Sequence, residues 1–277
     1  MRKELLSIGI LSVFLITMLM PVSHAYEIYN PPSPSGPDFY PVITENDAGY
    51  AYNLSRITFV TTLVNLTGAF EYNYSEGGTQ VVGYYIALGQ TVYNEQLGYT
   101  AYYVQPVIAL IMYGNEWGLI WAVQAWGDRY GYPYDEFNQS GVISSGSGSI
   151  VNFGFVFNLT IKATLNSQGQ ITSAWVHIAI VYPYNSTLFS QTINNLPYPI
   201  PDKQVFLEVE EPPGYTFPII PSNPYVFTNA FASNSTNMYA GPPLCLTGEE
   251  FIMQTPYAYA SPTLNCYVLA QGVHYYW

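Results

Sequence analysis

The chain has 277 residues, 49% of them hydrophobic and 17% aromatic, with 6 Lys and Arg against 18 Asp and Glu, giving a formal net charge of −12 at pH 7. That excess of negative charge excludes nucleic acid as a partner and disfavours anionic membrane surfaces. Two settings remain open: an acidic exterior, where carboxylates with unperturbed pKa near ~4 protonate and the self-repulsion fades, or an ordinary anionic exported protein.

The N-terminus reads as a secretory signal peptide over residues 1–25. Arg2 and Lys3 precede a 16-residue apolar run, Leu5–Met20, and Ser23-His24-Ala25 offers small residues at the two positions a signal peptidase reads. The run is shorter than the ~20 residues needed to span a bilayer, so the expected product is a secreted, extracellular protein over residues 26–277, with no membrane insertion after cleavage. Losing Arg2, Lys3 and Glu4 with the leader takes the net charge from −12 to −13.

Residues 26–41 form a Pro-rich extended lead-in; its core, Asn30–Pro41 (NPPSPSGPDFYP), cannot be helical. Runs rich in Val, Ile, Thr, Tyr, Phe and Trp follow: Ile57–Leu63, Val81–Leu88, Tyr102–Tyr113, Leu119–Trp126, Val151–Leu165, Ile171–Val181 and Val205–Val209. Gly114-Asn115-Glu116 and Asn166–Gly169 read as hairpin turns, and Ser144–Ser149 as a flexible loop. No stretch of ten or more residues shows a 3.6-residue period. The sequence therefore predicts an all-β fold, a single antiparallel β-sandwich or jelly roll over 26–277 with a disulfide-stapled C-terminal segment. The staple is Cys245–Cys266, the only two cysteines of an exported chain. Its loop closure is worth roughly 3 kcal/mol.

Seven Asn-x-Ser/Thr sequons begin at Asn53, Asn65, Asn73, Asn138, Asn158, Asn185 and Asn234, each a candidate glycan site in an exported glycoprotein. No metal site and no cofactor are implied, because the two cysteines, His177 and His274 show no ligand spacing. His177 lies in an alternating strand and reads as a packed sheet residue. No Gly-x-Ser-x-Gly elbow and no Asp-Thr/Ser-Gly pair occurs, and the adjacent acids Asp135-Glu136 and Glu249-Glu250 read as loop charges.

Two stretches carry candidate chemistry. In Gly118–Phe137 (GLIWAVQAWGDRYGYPYDEF), two-residue alternation points Leu119, Trp121, Val123 and Ala125 one way and Ile120, Ala122, Gln124 and Trp126 the other. Gln124 thus falls among apolar neighbours. A buried primary amide left unpaired costs roughly 1–3 kcal/mol, so it is either a structural bond to the next strand or a donor aimed at a developing oxyanion. In Val205–Gly214 (VFLEVEEPPG), Phe206, Glu208 and Glu210 share a face, with the two carboxylates about 6.5–7 Å apart along it. That is either a general base made by like-charge proximity or the solvated acidic face of an edge strand.

The stretch PPSPSGPDFYPVITENDAGYAYNLS resembles the start of the mature domain in thermopsin, a secreted acid peptidase family, and GLIWAVQAWGD resembles that family's aromatic strand. The latter, continuing into GYPYDEF, is also similar to the catalytic-glutamine strand of the eqolisins, the glutamic peptidases, and FLEVEEPPGYTF to their catalytic-glutamate segment. The resemblance implies an acid endopeptidase acting on a polypeptide substrate by direct water attack. Gln124 would stand for the glutamine and Glu208 for the glutamate, with Trp121, Trp126 and Glu210 as substrate contacts. The other reading is a non-enzymatic extracellular surface protein with cell-surface association, either a glycan-binding sandwich or a filament or coat subunit that adds Tyr26–Pro41 to a neighbour's sheet.

Overall fold

The computed structural model describes residues 57–94, 98–129 and 132–196, with shorter pieces at 27–28, 42–43, 47–53, 200–201, 204–210, 215–216, 218–221, 227–233, 238–241, 251–252, 258–261 and 267–270. Every regular element among them is a β-strand, and every paired strand runs antiparallel to its neighbours. The signal segment, most of the lead-in and both cysteines lie outside the described residues.

One seven-stranded sheet has the order β11 (Ser186–Asn194), β10 (Gln170–Tyr182), β9 (Ile150–Leu165), β4 (Phe59–Glu71), β14 (Phe227–Ser233) and β15 (Met238–Gly241), with β12 (Ile200–Pro201) pairing onto β10. The other runs β16 (Phe251–Ile252), β3 (Asp47–Asn53), β13 (Gln204–Glu210), β5 (Thr79–Asn94), β6 (Gly98–Tyr113), β7 (Glu116–Arg129) and β8 (Tyr132–Ser147). Two small ribbons, β1 (Glu27–Ile28) with β2 (Val42–Ile43) and β17 (Ala258–Ser261) with β18 (Tyr267–Ala270), complete the set.

The seven expected strands all form, because their period-2 patterns offer one continuous apolar face each. Val60, Val64 and Leu66 of β4, Phe157, Leu159 and Ile161 of β9, and Val176, Ile178 and Ile180 of β10 meet Val82, Tyr84, Ile86 and Leu88 of β5 in one core. Val104, Ile108 and Leu110 of β6, Leu119 and Val123 of β7, and Leu207 and Val209 of β13 complete the second sheet's side. The turn at Gly114 and Asn115 joins Tyr113 to Glu116, with Gly114 at φ 56°, where a glycine carries no Cβ cost. Asn166 closes the β9–β10 hairpin by accepting from the backbone N–H groups of Gln168 and Gln170.

Three expectations are corrected. Ser144–Ser149 is not a loop: Ser144–Ser147 pair with β7, and the chain turns only at Gly148 and Ser149. Asp135 and Glu136 are not loop charges but lie inside β8, where Glu136 is the extra residue between Phe137, paired with Ala125, and Asp135, paired with Trp126. Val205–Val209 is not an edge strand, since β13 pairs with β3 on one side and β5 on the other. β8 and β11 carry too many Ser, Gly and Asn residues to read as strands, and pairing with an apolar neighbour decides their structure.

Strand β8 is fitted to β7 by two glycines. Trp121 faces Gly141 and Trp117 faces Gly146 across the ladder, and a Cβ at either glycine would stand 2.6 or 2.7 Å from the indole. Trp121 also packs on Phe189 of β11 at 5.4 Å between ring centroids, and Trp117 meets Phe153 of β9 edge-on at 5.4 Å, so these indoles tie the sheets together. Gly141→Ala and Gly146→Ala should each destabilise the protein by about 1–3 kcal/mol through overpacking, read as a lower denaturant midpoint with an unchanged slope.

Candidate functional site

The face of the second sheet turned away from the core is also buried. Val81, Tyr85 and Ala87 of β5, Tyr103, Val107, Ala109 and Ile111 of β6, and Ile120 and Ala122 of β7 are each less than 8% exposed. Two amides interrupt this apolar surface. Gln105 of β6 and Gln124 of β7 are direct cross-strand partners, and Gln105 Nε2 donates to Gln124 Oε1 at 2.8 Å. Gln124 is 4% exposed, whereas Gln105 is half-buried. Asn138 of β8 lies opposite Gln124 on its other side, extending a polar row across three strands.

Gln80 of β5 shows what a structural glutamine looks like in the same protein. Fully buried, it accepts from the Asn73 backbone N–H at 2.7 Å and donates to the Asn73 carbonyl at 2.6 Å, so both ends of its amide serve the chain fold. For Gln105 and Gln124, the bond between them is the side-chain hydrogen bond that the described residues show. Among the described residues, neither the donor end of Gln124 nor the acceptor end of Gln105 bonds to the backbone.

Backbone pairing loosens beside this pair. The partners along β5 and β6 run from Thr79↔Tyr113 to Tyr85↔Val107 and resume at Leu88↔Val104, lapsing opposite Gln105 and Pro106. Pro106 has no N–H to give the ladder, and a proline is otherwise rare in an interior strand. It also holds the preceding residue, Gln105, in extended backbone.

Glu208 and Glu210 lie on the same sheet. Position 208 pairs with Tyr85 of β5, which pairs with Val107 of β6, which pairs with Ala122 of β7. Directly opposed residues share a face, and Ala122 is two residues from Gln124, so alternation assigns positions 208, 210, 105 and 124 to one face of one sheet. Two strands, β5 and β6, lie between β13 and Gln124. Trp126 pairs with Tyr103 and belongs by alternation to the same face as Gln124. Trp121 does not join them: it faces the core side and packs on Phe189. Gln105 is the residue that the sequence reading passed over, although it sits within the run Tyr102–Tyr113.

The sequons divide by environment. Asn185 is exposed in the β10–β11 turn. Asn73 is 4% exposed, with its Oδ1 accepting from the backbone N–H and hydroxyl of Ser75. Asn158 donates to Thr61 and accepts from Thr160. Asn65 and Asn138 are half-buried, and the side chains of Asn53 and Asn234 lie outside the described residues. Among the described residues, no three His, Cys, Asp or Glu side chains gather as a metal site.

No family model and no curated protein matches the chain. Among solved structures, scytalido-glutamic peptidase with a transition state analog inhibitor matches at 12% identity, and SCP-B, a member of the eqolisin family bound to the tripeptide Ala-Ile-His, at 10%. Each match has a TM-score of 0.50 and covers 82% of this chain and 98% of the other. The chain thus has an eqolisin-like fold. That likeness does not extend to thermopsin, whose resemblance begins in residues that are largely outside those described.

His177, on the outward face of the other sheet, is stacked on Trp175 at 5.3 Å and 10° between ring planes, with Nδ1 buried and without a hydrogen-bond partner. Burial lowers its pKa below the usual ~6.5. The unfolded chain therefore takes up a proton before the folded one does, so this group's contribution to stability is present above ~6.5 and is lost as pH falls below it. His177→Phe keeps the stack and removes the titration. Its unfolding midpoint should fall less than that of the native protein between pH 7 and pH 5, and equal declines would contradict a buried neutral imidazole.

Proposed function

We propose that the protein is a secreted acid endopeptidase that cleaves polypeptides by direct attack of water. Three things support this: the eqolisin-like fold, the buried face that carries an amide pair and two acidic positions on one sheet, and the leader-like residues 1–25 with the acidic composition. The observation that carries most weight is the Gln105–Gln124 pair, because a hydrogen bond between two side-chain amides in an apolar sheet face does nothing that an apolar pair would not do more simply.

In this reading Glu208 takes a proton from the attacking water as its oxygen bonds to the scissile carbonyl carbon. The carbonyl oxygen becomes an oxyanion that receives an N–H from the amide pair, with Gln124 as its buried member. Glu208 then returns the proton to the leaving amine as the C–N bond breaks. Trp126 and Glu210, placed on the same face, would line the substrate's path. The thermopsin resemblance adds acid operation to this reading.

Cleavage of an unfolded polypeptide should peak in acid, roughly between pH 2 and 5, where Glu208 must be ionised while the leaving amine still finds a proton. Glu208→Gln should abolish cleavage with the unfolding midpoint kept near native. Cleavage that persists in Glu208→Gln rejects this base, and a native protein that cleaves nothing between pH 2 and 7 rejects the peptidase in favour of a surface or binding role.

A further inference from the structure

The two amides are not equivalent. Gln124 is 4% exposed and sits with β6 and β8 on either side, whereas Gln105 is half-buried and lies one strand nearer to β13. With strands about 4.8 Å apart and residues about 3.3 Å apart along them, position 208 is about 12 Å from Gln105 and about 16 Å from Gln124, Cα to Cα. A Gln or Glu side chain reaches about 4–5 Å from its Cα. Two such side chains across the shorter gap can share one water and one carbonyl, while across the longer gap they leave a space of about 6–8 Å.

The residues between them point the same way. Phe206 pairs with Ala87, and the register shared by Tyr85↔Val107 and Leu88↔Val104 sets Ala87 opposite Gln105. Ala87, with the smallest side chain that L-residues offer, stands between Gln105 and Phe206, while Tyr85, the β5 residue opposite position 208, borders the gap on its other side. A substrate approached from β13 meets Gln105 first, with Gln124 behind it.

We infer that Gln105 is the amide that touches the scissile carbonyl, and that Gln124 is a positioning residue that accepts one N–H of Gln105 and so aims the other at the substrate. This rests on the peptidase reading. Pro106 completes the arrangement by holding the Gln105 backbone extended, and the Gln124 carbonyl fixes which way the Gln105 amide is turned.

The test compares kcat and KM on one unfolded polypeptide in acid for four variants, each checked for a native unfolding midpoint. Gln105→Leu should lower kcat by about 10²–10³, as expected for loss of an oxyanion donor. Gln124→Leu should lower it by about tenfold with KM unchanged, on the scale at which supporting partners act. Gln124→Glu should recover most of that loss, since a carboxyl oxygen accepts from Gln105 Nε2 in either protonation state. Gln105→Glu should be less active than the native protein and lose further activity as pH rises, because once ionised its carboxyl has no proton to donate to the developing oxyanion. The reverse pattern, an active Gln105→Glu with an inactive Gln124→Glu, overturns the assignment, and so do equal losses in all four. A native protein without activity fails the peptidase reading itself and takes this role with it.

Discussion

A primary amide in a face from which water is excluded must find a partner or cost roughly 1–3 kcal/mol, and the second sheet places one there at Gln124. Its partner is another amide, Gln105, on the strand next to it. Apolar residues at both positions would satisfy burial without any pairing, so the bond defines an orientation rather than adding to the core. Everything proposed for the site follows from that orientation: one amide held at its acceptor end, the other turned outward.

The orientation is only as fixed as the strands that carry it. β6 and β7 are interior strands, buried on both faces, and β7 is locked to β8 by indoles that lie over Gly141 and Gly146. Trp121 and Phe137 both reach Phe189 on the opposite sheet, so the strand bearing Gln124 is anchored to the core through its other face. The lapse in the β5–β6 ladder, at Gln105 and Pro106, falls where a side chain would have to meet substrate. A rigid frame with one loosened residue is what an amide donor needs.

Much of this was readable from residues. Alternation in Leu119–Trp126 separated Trp121 from Gln124 before any coordinates, and the Gly114–Asn115 turn, once it pairs Tyr113 with Glu116, sets Gln105 opposite Gln124 by counting along the hairpin. That count was the available signal for Gln105, which lies inside the run Tyr102–Tyr113. β8 and β11 were not readable, since Ser, Gly and Asn residues become strand only against an apolar partner. Nor could the position of β13 between β3 and β5 be read: that pairing joins segments far apart in sequence, and no local pattern fixes it.

The central claim is that the outward face of the second sheet, at Gln105 and Glu208, is where a peptide bond would be attacked. The most direct measurement is a crystal structure of the mature protein with a peptide whose scissile bond is replaced by a hydroxyethylene group. The account predicts the hydroxyl on that face, within about 3.2 Å of Gln105 Nε2 and of a Glu208 carboxylate oxygen. A peptide seated on the other sheet, or along the β8 or β11 edge with its hydroxyl away from both residues, would contradict it.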